Sequence, residues 1–386
     1  MELYLENGYT SLNKAHEELC GDKVEVAYNG DYTTVVLADG LGSGVKANIL
    51  ATLTSKILCT MVSNGIDLDE CVNTIIQTLP VCKERGVAYA TFSVVYMNKQ
   101  GEGYLFEFDN PEAIYITGGK CADFDRKAHD YSGKTVYITE LKLKPGDYIV
   151  MMSDGVIHAG IGMILNFGWL RKDVKAYLDK AVKPTMSARC VACLLASACN
   201  DLYLDSPGDD TTVAAVRVRE ALHVNIMVGP PVDKTKDDFY VARFMEGPGK
   251  KVVCGGTSST IVARYLGKTI KTDFDFPDKD VPPIGHIDGI DLTTEGVLTL
   301  RKLVELSEKY LSTSDLTPKY FTKKDGASLL ADILFEQATH VTFFVGQSIN
   351  AAHQGLPIDI TMKLKLVDTI SDHLRRMGKV VEVNYD

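Results

Sequence analysis

The stretch CGDKVEVAYNGDYTTVVLADGLGSG occupies residues 20–44 of the chain. Two β-prone runs within it flank Asn29-Gly30, and an Asn-Gly pair between such runs is the strongest short-range signal for a hairpin. If these two residues form the turn, Tyr28 faces Asp31. The stretch therefore predicts a tight β-hairpin followed by a glycine-rich loop.

Two aspartates lie at the open end of this predicted hairpin. In the same register Asp22 stands opposite Leu37, and Asp39 lies two residues beyond that partner. Because side chains alternate faces along a strand, both carboxylates then project from one face, with Cα atoms roughly 7 to 8 Å apart. Carboxylates at this spacing could flank two divalent ions about 3.5 to 4 Å apart.

Two further acidic turns adjoin predicted strands. The apolar run Tyr148–Met152 is followed by Asp154, and Asp209-Asp210 precedes an apolar run at residues 213–218. Magnesium and manganese ions prefer oxygen ligands of this kind. Taken singly, each such turn is more often structural, because Asp-Gly is an ordinary turn pair and Asp caps helices. All four acidic points together, in this order, favour a metal site.

These motifs resemble the phosphatase domain of stage II sporulation protein E, a bacterial branch of the metal-dependent protein phosphatases (PPM) related to protein phosphatase 2C. The resemblance covers about residues 18–218 and rests on the content, order and spacing of five segments: Gly21-Asp22, ADGLGSGVKA at 38–47, LKPGD at 143–147, MMSDGV at 151–156 and DDTTV at 209–213. It implies an α+β fold, the four-layer αββα sandwich, in which a central antiparallel β-sandwich is flanked by helices.

The resemblance also implies the residues of the site. Asp39 would bridge two Mn²⁺ or Mg²⁺ ions, Gly40 would offer its carbonyl oxygen to one of them, and Asp22 would be a further ligand of that ion. Asp154 and Asp209 would bind the other ion. Asp39 and Asp154 are then the predicted catalytic residues.

This chain departs from the wider family at several positions. Asp210 stands where asparagine is frequent, and we expect it to support a ligand rather than to touch an ion. Leu41 occupies the position of a histidine that is proposed as the general acid in eukaryotic members. His158 is near Asp154 in sequence, although a lone loop histidine is more often incidental. No residue matches the phosphate-binding arginine of the eukaryotic enzymes.

The function that the resemblance implies is that of a protein-serine/threonine phosphatase in bacterial signalling. It would hydrolyse a phosphoprotein, of the anti-sigma antagonist type, with a metal-activated water, and it could form a homodimer. The alternative is a catalytically silent, phosphatase-like signalling module whose C-terminal domain binds a small ligand or a partner. Retention of all five candidate metal contacts favours the enzyme.

Charge and composition exclude other classes of function. The chain has 41 basic and 51 acidic residues, a formal net charge of −10, and this balance repels a polyphosphate backbone. We therefore expect no nucleic-acid partner. The first residues are acidic where a signal peptide is basic, and the apolar runs are short for a membrane span. These features predict a cytoplasmic protein without a membrane partner.

Before Glu220 the sequence is strand-rich with helical inserts, and after it short apolar strands alternate with helices. This change predicts two domains: a phosphatase domain at residues 1–220 and a smaller α/β domain of regulatory or ligand-binding role at 221–386. In the second domain, residues 251–259 lead from a predicted strand through Gly255-Gly256 into a predicted helix. Free amides at a helix N-terminus could hold a phosphate group. A tight turn followed by a Ser or Thr N-cap gives the same pattern and is the more ordinary interpretation.

Overall fold

The structure, a computed structural model, describes residues 2–78, 90–131, 133–272, 283–313, 324–348 and 358–385. Within these ranges the chain forms two compact units that divide between Glu220 and Ala221. The first unit consists of antiparallel strands with helices, and the second consists of mainly parallel strands that alternate with helices.

The strands of the first unit form two antiparallel sheets. In chain order they are β1 (Leu3–Leu12), β2 (Asp22–Asn29), β3 (Tyr32–Gly40), β4 (Ala90–Asn98), β5 (Glu102–Phe108), β6 (Ile114–Thr117), β7 (Lys120–Ala122), β8 (Lys127–Tyr131), β9 (Lys134–Lys142), β10 (Tyr148–Met152) and β11 (Thr211–Glu220). One sheet has the order β2-β3-β4-β5-β9-β8, and the other has the order β1-β11-β10-β6-β7.

Helices cover the outer face of each sheet. They are α1 (Gly44–Ser63), α2 (Leu68–Thr78), α3 (Asp154–His158), α4 (Arg171–Ala181) and α5 (Ala188–Leu202). Along β3, Val35 packs into the core between the sheets, together with Ile149 of β10. The next residue, Val36, packs into the core under α1, because successive side chains point to opposite faces. Val150 likewise packs under α5. The predicted four-layer αββα sandwich is confirmed.

The register predicted for the β2–β3 hairpin is wrong. Asn29 pairs with Tyr32, so the two turn residues are Gly30 and Asp31. Gly30 has a φ of 60°, and a two-residue hairpin turn of type II′ requires glycine with positive φ at its first central position. As a result Asp22 lies directly opposite Asp39 rather than diagonal to it.

The helix α1 meets the length and composition of a membrane span, contrary to the expectation from the sequence that no run is long enough. It has 20 residues, and this is the one helix of its kind in the ranges the structure describes. Its buried residues, among them Ala51 and Leu58, pack in the cluster that contains Val36 and Val94 of the adjacent sheet. Core packing of this kind also selects an apolar helix, so the feature is weak evidence for a membrane span.

The second unit is built on one sheet. Its strands are β12 (His223–Val228), β13 (Lys250–Cys254), β14 (Lys271–Thr272), β15 (Gly285–His286), β16 (Leu292–Thr294), β17 (His340–Val345) and β18 (Val380–Tyr385). Its helices are α6 (Asp237–Glu246), α7 (Gly256–Leu266), α8 (Val297–Ser312), α9 (Gly326–Ala331) and α10 (Ile358–Arg376), with a 3₁₀ turn at Lys234–Lys236 and a π-helical turn at Asp332–Gln337. The sheet order is β14-β15-β16-β13-β12-β17-β18. The strands from β16 to β18 in this order are parallel.

Candidate functional site

The four aspartates predicted as metal ligands lie at strand ends in the first unit. Asp22 begins β2, and Asp39 is the last residue but one of β3. Asp154 begins α3, and Asp209 lies two residues before β11. Because β2 and β3 belong to one sheet and β10 and β11 to the other, each sheet supplies one pair of carboxylates.

The structure brings these two pairs together. Ser153, the residue between β10 and α3, donates a hydrogen bond from Oγ to Asp22 Oδ2 at 2.7 Å and so joins the two sheets. Asp39 is close enough to Asp154 and Asp209 for their charges to shift its pKa. The sequence did not single out Ser153, although its place between a buried strand and Asp154 was the available signal.

Close backbone approaches set the geometry at two glycines of the site. A Cβ atom on Gly40 would lie 2.1 Å from the carbonyl oxygen of Ala47 in α1. A Cβ atom on Gly155 would lie 2.1 Å from the carbonyl oxygen of Asp210. Real Cβ contacts are never so short, so only glycine lets α1 and the segment before β11 approach the aspartates this closely.

One carboxylate oxygen of Asp22 has no hydrogen-bond partner in the described part of the chain. Its side chain is 3% exposed, and Oδ2 is held by Ser153, which in turn accepts a hydrogen bond from the Thr212 amide at 2.8 Å. Oδ1 is buried without a hydrogen-bond partner in the described part of the chain. Buried polar atoms are nearly always satisfied, so this oxygen fits a ligand that accepts its lone pair, such as a cation.

Crowding and burial raise the proton affinity of the cluster. Burial raises the pKa of Asp22 to about 7, against the lowering effect of the hydrogen bond that Ser153 donates to it. Burial, and then the neighbouring charges of Asp22 and Asp154, raise the pKa of Asp39 to about 9. The pKa of Asp154 is also raised, by burial and by Asp209. Without a cation the cluster therefore retains protons at neutral pH, and a divalent cation would compete with them.

A histidine joins the second pair. The ligand atoms of Asp154, His158 and Asp209 all lie within 4.8 Å of one another, an arrangement that could hold a metal ion. His158 Nδ1 is 3.7 Å from Asp154 Oδ2, one helical turn along α3. The sequence favoured an incidental loop histidine, whereas the structure places His158 beside two of the predicted ligands.

The segment after β1 supplies a cation at the rim of the site. The amide of Lys14 donates a hydrogen bond to Asp210 Oδ1 at 3.0 Å, and Lys14 Nζ lies 3.7 Å from Asp209 Oδ1. Asp210 is 4% exposed, and its Oδ2, like Asp22 Oδ1, is buried without a hydrogen-bond partner in the described part of the chain. Lys14 has no sequence signal, because its position depends on the pairing of β1 with β11.

Residues 29–219 match the family model of stage II sporulation protein E (SpoIIE). This part of the chain is therefore a domain of the SpoIIE family. Asp22 lies just before the matched range, and its place in the site rests on the geometry above. No curated protein matches the chain.

Several solved structures are similar to this part of the chain. The phosphatase domain of SpoIIE from Bacillus subtilis is 20% identical, with 57% of this chain and 94% of that chain covered and a TM-score of 0.45. The RsbU and RsbW domains of a Mycobacterium tuberculosis protein are 22% identical, with 56% and 60% covered and a TM-score of 0.45. The S. agalactiae serine/threonine phosphatase is 15% identical, with 55% and 99% covered and a TM-score of 0.41.

Proposed function

We propose that the first unit is a metal-dependent phosphatase that hydrolyses phosphoserine or phosphothreonine in a protein. The observation that carries the proposal is the convergence of four strand-end carboxylates, three of which raise the pKa of the fourth, Asp39. The buried Oδ1 of Asp22, which has no hydrogen-bond partner in the described part of the chain, adds to it. Membership in the SpoIIE family supports the same reaction class. The carboxylates alone would repel a phosphate ester, so a function on phosphate requires cations between them.

The donor set suits Mn²⁺ or Mg²⁺. Asp22, Asp39 and the carbonyl oxygen of Gly40 would hold one ion, and Asp39, Asp154 and Asp209 would hold the other. These oxygen ligands match the preference of hard divalent cations. When bound, such an ion pair supplies a nucleophile at neutral pH and neutralises charge on the transferred phosphoryl group.

Other residues of the chain prepare this site. Ser153 fixes the carboxylate of Asp22 through one donated hydrogen bond and is itself fixed by the amide of Thr212. We propose that Lys14, whose ammonium group lies at the rim beside Asp209, binds a phosphoryl oxygen of the substrate. A lysine there would take over part of the role of the arginine that the sequence lacks, as a point charge rather than as a bidentate donor.

The wider setting is also part of the proposal. We propose that the substrate is a phosphorylated regulator of the anti-sigma antagonist type, that the protein acts in the cytoplasm, and that it can form a homodimer. The formal net charge of −10 supports a protein rather than a nucleic-acid partner. The competing function is a silent phosphatase-like module that binds its partner without hydrolysis.

The deciding experiment measures phosphate release from a phosphothreonine peptide by the full chain in Mn²⁺, in Mg²⁺ and in EDTA. We expect turnover only with metal. Asp39→Asn should lower the rate of phosphate release at least 100-fold, which is about the loss seen when one charge-stabilising group is removed from a reaction centre. Metal binding by calorimetry without turnover on peptides or on a phosphorylated antagonist protein would favour the silent module. Absence of both metal binding and turnover would refute the metal centre.

A further inference from the structure

The second unit has a crevice where its strand order reverses. Within the sheet, the chain adds β13 and then β16 on one side of β12, and afterwards adds β17 and β18 on the opposite side of β12. In open parallel sheets the connections diverge at such a point and leave a crevice at the carboxyl ends of the strands, where ligands bind. Here that point lies between β12 and β17, which are hydrogen-bonded neighbours.

A cavity of about 650 Å³ lies at these strand ends. Its described lining comes from the segments after β12, β13 and β16, including Gly229, Gly256 and Glu295. Apolar side chains, among them Pro231 and Leu300, form part of the wall. This volume is in the range of sites for organic molecules of nucleotide size, and it is far larger than a phosphate ion needs.

The first turn of α7 opens into this cavity. Its N-cap is Gly255, with a φ of 118°, and no side chain caps the turn. A Cβ atom on Gly256 would meet nothing within 4 Å, so the space over the turn is free of described atoms. The expected Ser or Thr N-cap is therefore wrong, because the hydroxyl residues lie inside the helix. An uncapped first turn offers amide donors to an anion.

Two residues that line the cavity each have a buried side-chain atom without a hydrogen-bond partner within the described ranges. Ser258 is 1% exposed and its Oγ is unpaired. Asp237 is 5% exposed, with Oδ2 bonded to Arg264 at 2.8 Å and Oδ1 unpaired. Such atoms are rare in folded proteins. In the residues of a cavity wall they suit a ligand that accepts from a hydroxyl and also donates to a carboxylate.

A buried cation lies at the reversal point itself. Lys363 of α10 is 9% exposed, and its Nζ donates to the carbonyl oxygen of Gly346, just after β17. A Cβ atom on Gly229, just after β12, would lie 2.6 Å from this Nζ. The crevice thus combines an ammonium group with the amide donors of α7, and both favour an anionic ligand.

We propose that this cavity binds a phosphorylated small molecule with a hydroxyl-bearing body, that is, a sugar phosphate or a nucleotide. The phosphoryl group binds the first turn of α7 and the hydroxyl of Ser258. A ligand hydroxyl donates to Asp237 Oδ1, and the rest of the ligand packs on the apolar wall. This site is separate from the phosphatase proposal and stands on the second unit alone.

The test uses the full chain in EDTA, so that the aspartate cluster of the first unit cannot hold phosphate through a metal. Binding of ribose 5-phosphate, AMP, adenosine and inorganic phosphate is followed by thermal shift and calorimetry. We expect ribose 5-phosphate or AMP to bind more tightly than inorganic phosphate, and adenosine to bind at least tenfold more weakly than AMP. A preference for AMP indicates a nucleotide, and a preference for ribose 5-phosphate indicates a sugar phosphate.

A matched pair of variants isolates the charge. Gly256→Asp and Gly256→Asn add side chains of equal size into open space, and aspartate in the first turn suits the helix dipole. We expect both to keep the melting temperature, with affinity lowered at least tenfold more by Asp than by Asn. Ser258→Ala should weaken binding several-fold without loss of stability, because its hydroxyl has no described partner. If no phosphorylated probe binds, or if Gly256→Asp binds as well as Gly256→Asn, the proposal is wrong.

Discussion

Replacement of Asp39 by asparagine should stabilise the metal-free protein at neutral pH while it removes the metal site. Burial and the neighbouring carboxylates raise the pKa of Asp39 from 3.8 to about 9. The metal-free folded protein therefore keeps a proton that the unfolded chain releases. Its free energy of unfolding is highest below about pH 4 and falls as the pH rises towards 9. A divalent cation offsets this loss when it binds.

The expected gain in the free energy of unfolding follows from the difference between the pKa of Asp39 in the unfolded chain and in the folded protein. At pH 7.5 the native carboxyl is still protonated, and the interval above 3.8 corresponds to at most about 5 kcal/mol at 1.36 kcal/mol per pKa unit. Relaxation of the site reduces this figure, and relief of active-site strain commonly gives about 1 to 2 kcal/mol. We therefore expect a rise in melting temperature of roughly 2 to 8 °C at pH 7.5. At pH 4 the gain should be close to zero.

The assay is calorimetric melting in EDTA at pH 4 and pH 7.5, and then with Mn²⁺ at pH 7.5. Asp201→Asn is the matched control, because Asp201 is exposed on α5, outside the cluster. Mn²⁺ should raise the melting temperature of the wild type and of this control but not of Asp39→Asn. An equal effect of Asp39→Asn at both pH values, or a Mn²⁺ response as large as that of the wild type, would refute the reasoning.

Three further substitutions test the surroundings of the cluster. Ser153→Ala leaves Asp22 Oδ2 and an amide without partners, so it should cost about 1 to 3 kcal/mol of stability and weaken Mn²⁺ binding in calorimetry, with partial rescue by Ser153→Thr. Gly40→Ala places a Cβ atom 2.1 Å from the Ala47 carbonyl oxygen; urea unfolding should show a loss of about 1 to 3 kcal/mol, and an unchanged midpoint would contradict the close approach. Lys14→Gln should raise the KM for a phosphopeptide about tenfold with a smaller change in kcat, and equal loss in both would assign Lys14 to chemistry rather than binding.

The sequence predicted the face of the two hairpin aspartates correctly although it predicted their pairing wrongly. A turn at Asn29-Gly30 pairs Asp22 with Leu37, whereas the observed turn pairs it with Asp39. The two registers differ by two residues along the strand. Because side chains alternate with a period of two, such a shift preserves the face and changes only the separation. The choice of turn depended on the φ of Gly30, which local sequence does not fix.

The long-range contacts around the aspartate cluster could not be read from the sequence. Ser153 and Asp22 are 131 positions apart, and Lys14 and Asp210 are 196 apart. Each contact depends on which strands are neighbours, and periodicity within one strand carries no information on that. The aspartates themselves were predictable because glycine and acidic residues at strand ends leave a local signal.

The glycine pair of the second unit shows how the fold can decide between two interpretations of the same residues. If a Ser or Thr hydroxyl had capped α7, it would have occupied one of the first-turn amides that could otherwise bind an anion. The helix instead begins at Gly256, with Gly255 as its N-cap and no side-chain cap. A glycine N-cap leaves more amide donors unpaired than a serine would, at a few tenths of a kcal/mol in helix stability. The Ser258 hydroxyl in the same turn also has no described partner. Neither the glycine N-cap nor this hydroxyl adds to the stability of the helix, whereas both suit the binding of a phosphate group at the first turn of α7.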